Sequence, residues 1–463
     1  MIRRLLARLM PRRAARKPRI HSAEHHPVRR DQLSHAARTV IKRLQDEGFK
    51  AFIVGGAVRD LLLGIEPKDF DIATSATPEQ VKPLFRRAFI IGRRFRLVHV
   101  HVGNEVIEVS TFRGMQTGDD ATDEHGRLLS DNVYGTQAED ALRRDFTINA
   151  LYFDPADETI WDYTGGLADI HARRLKLIGT PITRYREDPV RMLRAVRLAA
   201  KLGLAIEPKT AEPITPLASL MQNVPPARLF DEMQKLLLSG HATETLRSLR
   251  AHGLSHGLLP LLDVILEQPL GQRFIDAALI DTDTRVREDK GVSPSFLFAT
   301  LLWHEVLATW TAAKNRGERP LPALYAAMDH VLDAQAKRIA IPRRFEATIK
   351  EIWSLQPRFE QRGGQRPFRL LEHPRFRAAY DFLALRAKSG EAPQELLDWW
   401  TRFQDASTDE RVAMLKSDEV PKKRRRSRSR GRKRAPEGGV TPDAAATASV
   451  SGDDDGNADP SAS

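Results

Sequence analysis

The stretch that most limits what this chain can become is Ile53-Val54-Gly55-Gly56-Ala57-Val58-Arg59-Asp60, followed closely by Lys68-Asp69-Phe70-Asp71-Ile72-Ala73-Thr74. An apolar run from Ala51 to Val54 ends at two glycines, as a short buried strand does where the backbone must come close to something bulky such as a phosphate. Val58 to Leu63 then reads as a helix opening under the turn, with its free N–H groups and positive dipole end facing the same spot. Asp69 and Asp71 alternate with Phe70 and Ile72. In a strand both carboxylates point to one face, about 6 to 7 Å apart, and the apolar pair points to the other. Paired carboxylates at that spacing suit magnesium, which prefers hard oxygen ligands and substrate phosphates. The expectation is a metal-dependent nucleotide site.

Other segments supply what such a site lacks. Leu33, Ala36, Ala37, Val40, Ile41 and Leu44 follow helical spacing between about Arg30 and Gly48, where the glycine stops the helix. Thr77-Pro78-Glu79-Gln80 has the form of a capping box with proline at the first helical position. Two strands are expected at 95–102 and 105–111, and in the second Glu108 faces away from Ile107 and Val109. That places it as a candidate third acidic group beside Asp69 and Asp71. Residues 114–137 are polar and aperiodic and predict a mobile loop. Asp145, in Arg143-Arg144-Asp145-Phe146-Thr147-Ile148-Asn149, is either a helix cap or a second candidate for the third acid. A second Gly-Gly turn at Gly165-Gly166 closes the α/β portion near residue 178. Further on, Asp188 and Pro189 are placed to start a helix, and if the helical turn reaches back to Glu187, then Glu187, Arg191 and Arg194 fall within about 60° of one another. A carboxylate and two guanidiniums there present planar edges that can hydrogen-bond a base or bridge to each other.

The charge of +12 is unevenly placed. Residues 422–434 hold ten basic side chains and residues 1–20 hold eight, which leaves the rest at −6. A mildly acidic body with two basic arms suits an enzyme that gathers a polyanion through its ends. The chain has no cysteine, which removes disulfides, thiolate zinc sites and cysteine nucleophiles. It has no run of 18 or more apolar residues, and the Arg-rich start lacks a secretory h-region. A reducing cytoplasm is compatible with this, and weak contact of the basic arms with an anionic membrane surface stays open.

Taken in order, Ile53 to Asp60, Asp69-Phe70-Asp71, Arg143 to Leu151 and Glu187-Asp188-Pro189-Val190-Arg191-Met192-Leu193-Arg194 resemble the class II nucleotidyltransferase family, which contains CCA-adding enzymes and bacterial poly(A) polymerases. The match covers about residues 30 to 240. Gly92 to Val100, Thr183 to Asp188, Leu371 to Asp381 and the basic tail look like the poly(A) polymerase branch.

The resemblance implies an α+β fold. A polymerase-beta-like nucleotidyltransferase head with a mixed β-sheet (31–178) follows a disordered basic arm (1–30). All-α neck (179–260) and body (261–416) domains come next, then a disordered Arg-rich tail with an acidic end (417–463). It also implies template-independent transfer of AMP from ATP to RNA 3′ ends, with Mg²⁺ in a two-metal site on Asp69 and Asp71, in the service of RNA decay. By position Asp145 matches the family's third active-site carboxylate and competes with Glu108 for that role. Gly55, Gly56, Arg59 and Arg144 are the expected phosphate contacts, and Glu187, Arg191 and Arg194 the expected base-selecting group. The expected partners are single-stranded RNA and RNA-decay proteins, and the expected location is the cytoplasm. The rival readings are a CCA-adding enzyme and a non-catalytic RNA-binding protein.

Overall fold

A computed structural model of the chain describes residues 17–92, 96–114, 133–255 and 269–415. Most of the expected mobile loop (115–132), the start of the basic arm (1–16) and the tail from 416 onward lie outside these residues.

An eight-stranded sheet organises the head, in the order β1-β8-β7-β2-β3-β6-β5-β4. Its strands are β1 (Arg19–His21), β2 (Ala51–Val54), β3 (Asp71–Thr74), β4 (Ala88–Ile91), β5 (Leu97–Val102), β6 (Glu105–Thr111), β7 (Leu151–Asp154) and β8 (Thr159–Asp162). The sheet is mixed: β3 runs parallel to β6 and every other pairing is antiparallel. Alternation along the strands explains its two faces. Ile53, Ile72, Val98, Val100, Ile107 and Val109 point to one side and are fully buried. On the other side Phe52, Val54, Ala73, Phe112 and Tyr152 form a separate apolar cluster, which is roofed by Ala141. That roof covers only the β2 end of the face. Towards β4 the same face carries polar and exposed side chains.

Among the described residues, the helices of seven or more residues are, in the head, α1 (His35–Asp46), α2 (Gly56–Leu62) and α3 (Gln137–Arg143); then α4 (Pro181–Glu187), α5 (Val190–Leu202), α6 (Pro226–Leu237) and α7 (Ala242–Ala251) in the neck. The body holds α8 (Pro269–Arg287), α9 (Pro294–Asn315), α10 (Pro320–Ala336), α11 (Arg343–Leu355), α12 (Phe376–Ser389), α13 (Gln394–Asp405) and α14 (Thr408–Met414). One apolar core runs from the head through the neck into the body, and a second lies around Phe359, Trp400 and Phe403. α9 has the length and mean hydropathy of a membrane span. Its apolar residues, Leu297, Phe298, Leu301 and Trp303 among them, are buried in the body core.

Several local expectations shift by a few residues. α1 starts at His35, where the Ser34 hydroxyl accepts from the Ala37 N–H, and it ends before Gly48 at φ +83°. Asp69 precedes β3, so only Asp71 of the pair is on a strand. Arg19 to His21, placed within the disordered arm by composition, pair with Asp162 to Ile160 as the outermost strand. α4 ends at Glu187 and α5 starts at Val190, because Asp188 is extended (φ −151°, ψ 92°). The Asp188 carboxylate caps nothing and instead accepts from Arg228 at 2.8 Å.

Candidate active site

The site begins where β2 stops. Gly55 has φ +71° and ψ −125°, a backbone state costly for any side-chain-bearing residue. A Cβ there would lie 3.3 Å from a guanidinium nitrogen of Arg144. The glycine thus lets a charged group from the Arg143 to Asn149 segment come against the turn. Arg144 is fixed in that position. Its Nε and Nη2 donate to Asp140, its Nε also to the Tyr152 hydroxyl, and its Nη1 to the Asn149 carbonyl. Burial works against its charge, but Tyr152 and Asp140 outweigh that and hold its pKa above the ordinary arginine value.

Across from this turn lies the acidic face. In register, Asp71 is beside Glu108 on β6, and both point away from the buried Ile72 and Val109. Burial, the neighbouring Glu108 and then Asp69 push the Asp71 carboxyl up from 3.8 to about 6, against the opposing pull of Arg144. The carboxylates whose charge Asp71 feels are therefore Glu108 and Asp69. Among the described residues no three His, Asp or Glu side chains are placed together to hold a metal ion. Asp71 and Glu108, side by side on the face, with Asp69 just before β3, are nevertheless hard oxygen donors of the kind a divalent cation takes, and its charge would favour the ionised form of Asp71.

Asp145 is placed differently. Its Oδ2 accepts from Arg194 Nε at 2.9 Å and Nη2 at 2.5 Å, and its Oδ1 from the Asn149 amide at 3.0 Å and the Phe146 N–H at 2.8 Å. Burial would raise its pKa, but Arg194 and Asn149 outweigh burial and hold it far below the usual carboxylate range. Asn149 in turn accepts from Arg59 Nη1 at 2.7 Å, and Arg59 is paired with Asp60. Arg59 is only 6% exposed. A continuous chain Asp60–Arg59–Asn149–Asp145–Arg194 thus ties α2 to the neck, with its two arginines turned inward.

The neck supplies a basic wall. Glu187 accepts from Arg184 at 2.6 Å and from Arg191 at 3.1 Å, so Glu187 and Arg191 meet across the break between α4 and α5. Arg194 is not in that group, since it is bound to Asp145. Arg184 also donates to the carbonyls of Arg143 and Arg144. Burial and the nearby Arg113, Arg184 and Arg191 pull the Arg143 pKa down to about 10. Such crowding of like charge marks a place where an anion is welcome. Sequence reasoning missed Arg184, Asn149, Asp140 and Tyr152 as site residues. Arg184 and Asn149 lie inside the motif stretches, but their partners are far along the chain.

Comparison with known proteins gives this geometry its family. Residues 51–176 match the family described as Poly A polymerase head domain, residues 203–266 the Probable RNA and SrmB-binding site of polymerase A, and residues 316–434 the Polymerase A arginine-rich C-terminus. The chain is 48% identical to poly(A) polymerase I of Escherichia coli O6:H1 over 427 residues, which covers 89% of this chain and 91% of that protein. It is 38% identical to the CCA-adding enzyme of Levilactobacillus brevis over 218 residues, which covers 47% and 54%. Among solved structures, the CCA-adding enzyme of Bacillus stearothermophilus in complex with CTP aligns with a TM-score of 0.54 and 28% identity, over 79% of this chain and 80% of that one. The head is therefore a nucleotidyltransferase fold, and the chain belongs to the poly(A) polymerase family of polynucleotide adenylyltransferases.

Proposed function

We propose that this chain carries out its family's template-independent poly(A) addition, transferring AMP from ATP to RNA 3′ ends, with Asp69 and Asp71 as the metal-holding carboxylates and Glu108 as their acidic companion. The observation that carries this assignment is the shared face of Asp71 and Glu108, in register on neighbouring strands, with Asp69 two residues before Asp71; burial first, then Glu108 and Asp69, raise the Asp71 carboxyl. Mg²⁺ bound there would lower the pKa of the RNA 3′-hydroxyl and neutralise charge on the ATP triphosphate.

The chain's own residues do the rest. Gly55 and Gly56 leave space at the turn, and Arg144, held against Gly55 by Asp140, Tyr152 and Asn149, meets the triphosphate. Arg59 supports the turn from beneath. Glu187 and Arg191 offer acceptor and donor edges to the adenine base, while Arg194 holds Asp145, which keeps the Arg143 to Asn149 segment docked on the neck. In the body, a cleft of about 400 Å³ is lined by Trp310, Arg358, Arg366 and Arg369 with no carboxylate in its wall. None of these three arginines has an ion-pair partner among the described residues. The cleft and the basic tail suit the phosphates of single-stranded RNA.

An incorporation assay tests the reading. ATP or CTP is supplied alone with an RNA that does not end in a tRNA acceptor stem. Long A-only tails are expected, and addition of C, or of nothing, sinks it. A service to RNA decay in the cytoplasm, with decay proteins as partners, is proposed on the same family ground.

A further inference from the structure

The open sheet face does not end at the carboxylates. In register across the strands, Asp71 on β3 is beside Glu108 on β6, Glu108 beside His99 on β5, and His99 beside Phe89 on the edge strand β4. His99 Nε2 lies 3.3 Å from Glu108 Oε1. His101, two residues along β5, meets the Phe89 ring edge to face, with centroids 5.5 Å apart and planes at 89°. Phe89 is 54% exposed and its same-face neighbour Ile91 43% exposed, whereas the opposite side of these strands is sealed by Val98, Val100, Ile107 and Val109. A solvent-facing row of aromatic and imidazole rings on an edge strand is a liability unless something covers it.

Direction identifies the cover. Arg144 and the Gly55-Gly56 turn lie on the β2 side of Asp71, and the row runs from Asp71 the opposite way. Displacement at the α-phosphorus is in line, so the attacking hydroxyl and the departing pyrophosphate stand on opposite sides of the reacting atom. A triphosphate held at Arg144 therefore requires the attacking strand to arrive over β6, β5 and β4. Strands about 4.8 Å apart place Phe89 about 14 Å from Asp71, within reach of the nucleotides just upstream of the 3′ end. The rings suit bases, and exposed Arg87, whose carbonyl accepts from the His101 N–H and which shares the face of Phe89, suits a phosphate beside them. Stacking tolerates any base, as template-independent addition requires.

We infer that the β4–β5–β6 face is the track of the RNA's last nucleotides, with Phe89 and His101 stacking a base upstream of the 3′ end and His99 beside the terminal nucleoside. The inference rests on the poly(A) reading above and adds binding residues to it.

Steady-state kinetics of Phe89→Ala and His101→Ala test it in the full chain with an oligoadenylate primer. Loss of one stacked base is expected to raise the RNA KM about five- to a hundredfold with the ATP KM unchanged, and Phe89→Trp to restore it. Phe89 is exposed, so unchanged melting is expected. In the wild-type protein, a 4-thiouridine placed two or three nucleotides from the primer end is expected to crosslink to β4 or β5. Unchanged RNA KM in both alanine variants, or crosslinks confined to other segments, overturns the track while wild-type A-tailing leaves the poly(A) reading intact. A β4 face that instead captures a protein strand, with RNA kinetics unmoved, also overturns it. Absence of ATP incorporation by the wild-type protein would sink the function itself.

Discussion

Asp71 concentrates the chemistry in one side chain. Its carboxyl is raised from 3.8 to about 6, so the folded state binds its proton more tightly than the unfolded one. Stability therefore falls as pH rises through that interval, and above about 6 the cost is fully present. Asp71→Asn is expected to abolish AMP transfer yet to stabilise the metal-free protein at pH 8 by about 1–3 kcal/mol, with no gain below pH 3.8; paired thermal melts at the two pH values check the sign. Asp145 is the opposite case. Its pKa is lowered, so the stability it lends is present above the ordinary carboxylate pKa and is lost on acidification. Arg194→Ala leaves that carboxylate buried and unpaired, at an expected cost of about 3–5 kcal/mol in chemical denaturation. If Arg194→Ala combined with Asp145→Ala costs as much as the two singles summed, the pair is not coupled and the docking role assigned to it fails.

Among the elements, short turns do the placing. A Cβ on Gly166 would overlap the Thr147 carbonyl oxygen, and Thr147 is one residue from Ile148 and two from the Asn149 that joins Arg59 to Asp145. Gly166→Ala is expected to cost about 1–3 kcal/mol and to lower kcat, whereas alanine at Gly64, which has open space but φ +72°, strains only its own turn. Equal kcat in the Gly166 and Gly64 variants would separate this turn from the site. The break between α4 and α5 has a similar effect. By ending α4 at Glu187, extended Asp188 lets Glu187 meet Arg191 from a separate helix and frees Arg194 to turn towards Asp145.

At the scale of the whole molecule, an acidic body works with basic ends. Removing residues 421–463 is expected to weaken RNA binding and flatten its salt dependence, by about 0.7 in the log–log slope for each phosphate that the tail neutralises, while ATP binding is unchanged. Filter binding at several salt concentrations reads both quantities, and an unaltered slope would count against the tail. Some of this was written locally. The turn at Gly55, the apolar alternation that turns Asp71 and Glu108 from the core, the stop at Gly48 and the charge of the tail depend on neighbours in sequence, and chain-local physics determines them. What the sequence left open was which acid stands beside Asp71, because Asp145 and Glu108 are both near-motif carboxylates. The parallel register of β3 on β6 brings Glu108 beside Asp71, while Asp145 is bound by Arg194, 49 residues away in the chain. Strand pairing and buried ion pairs form between distant segments, so only the tertiary fold could decide them.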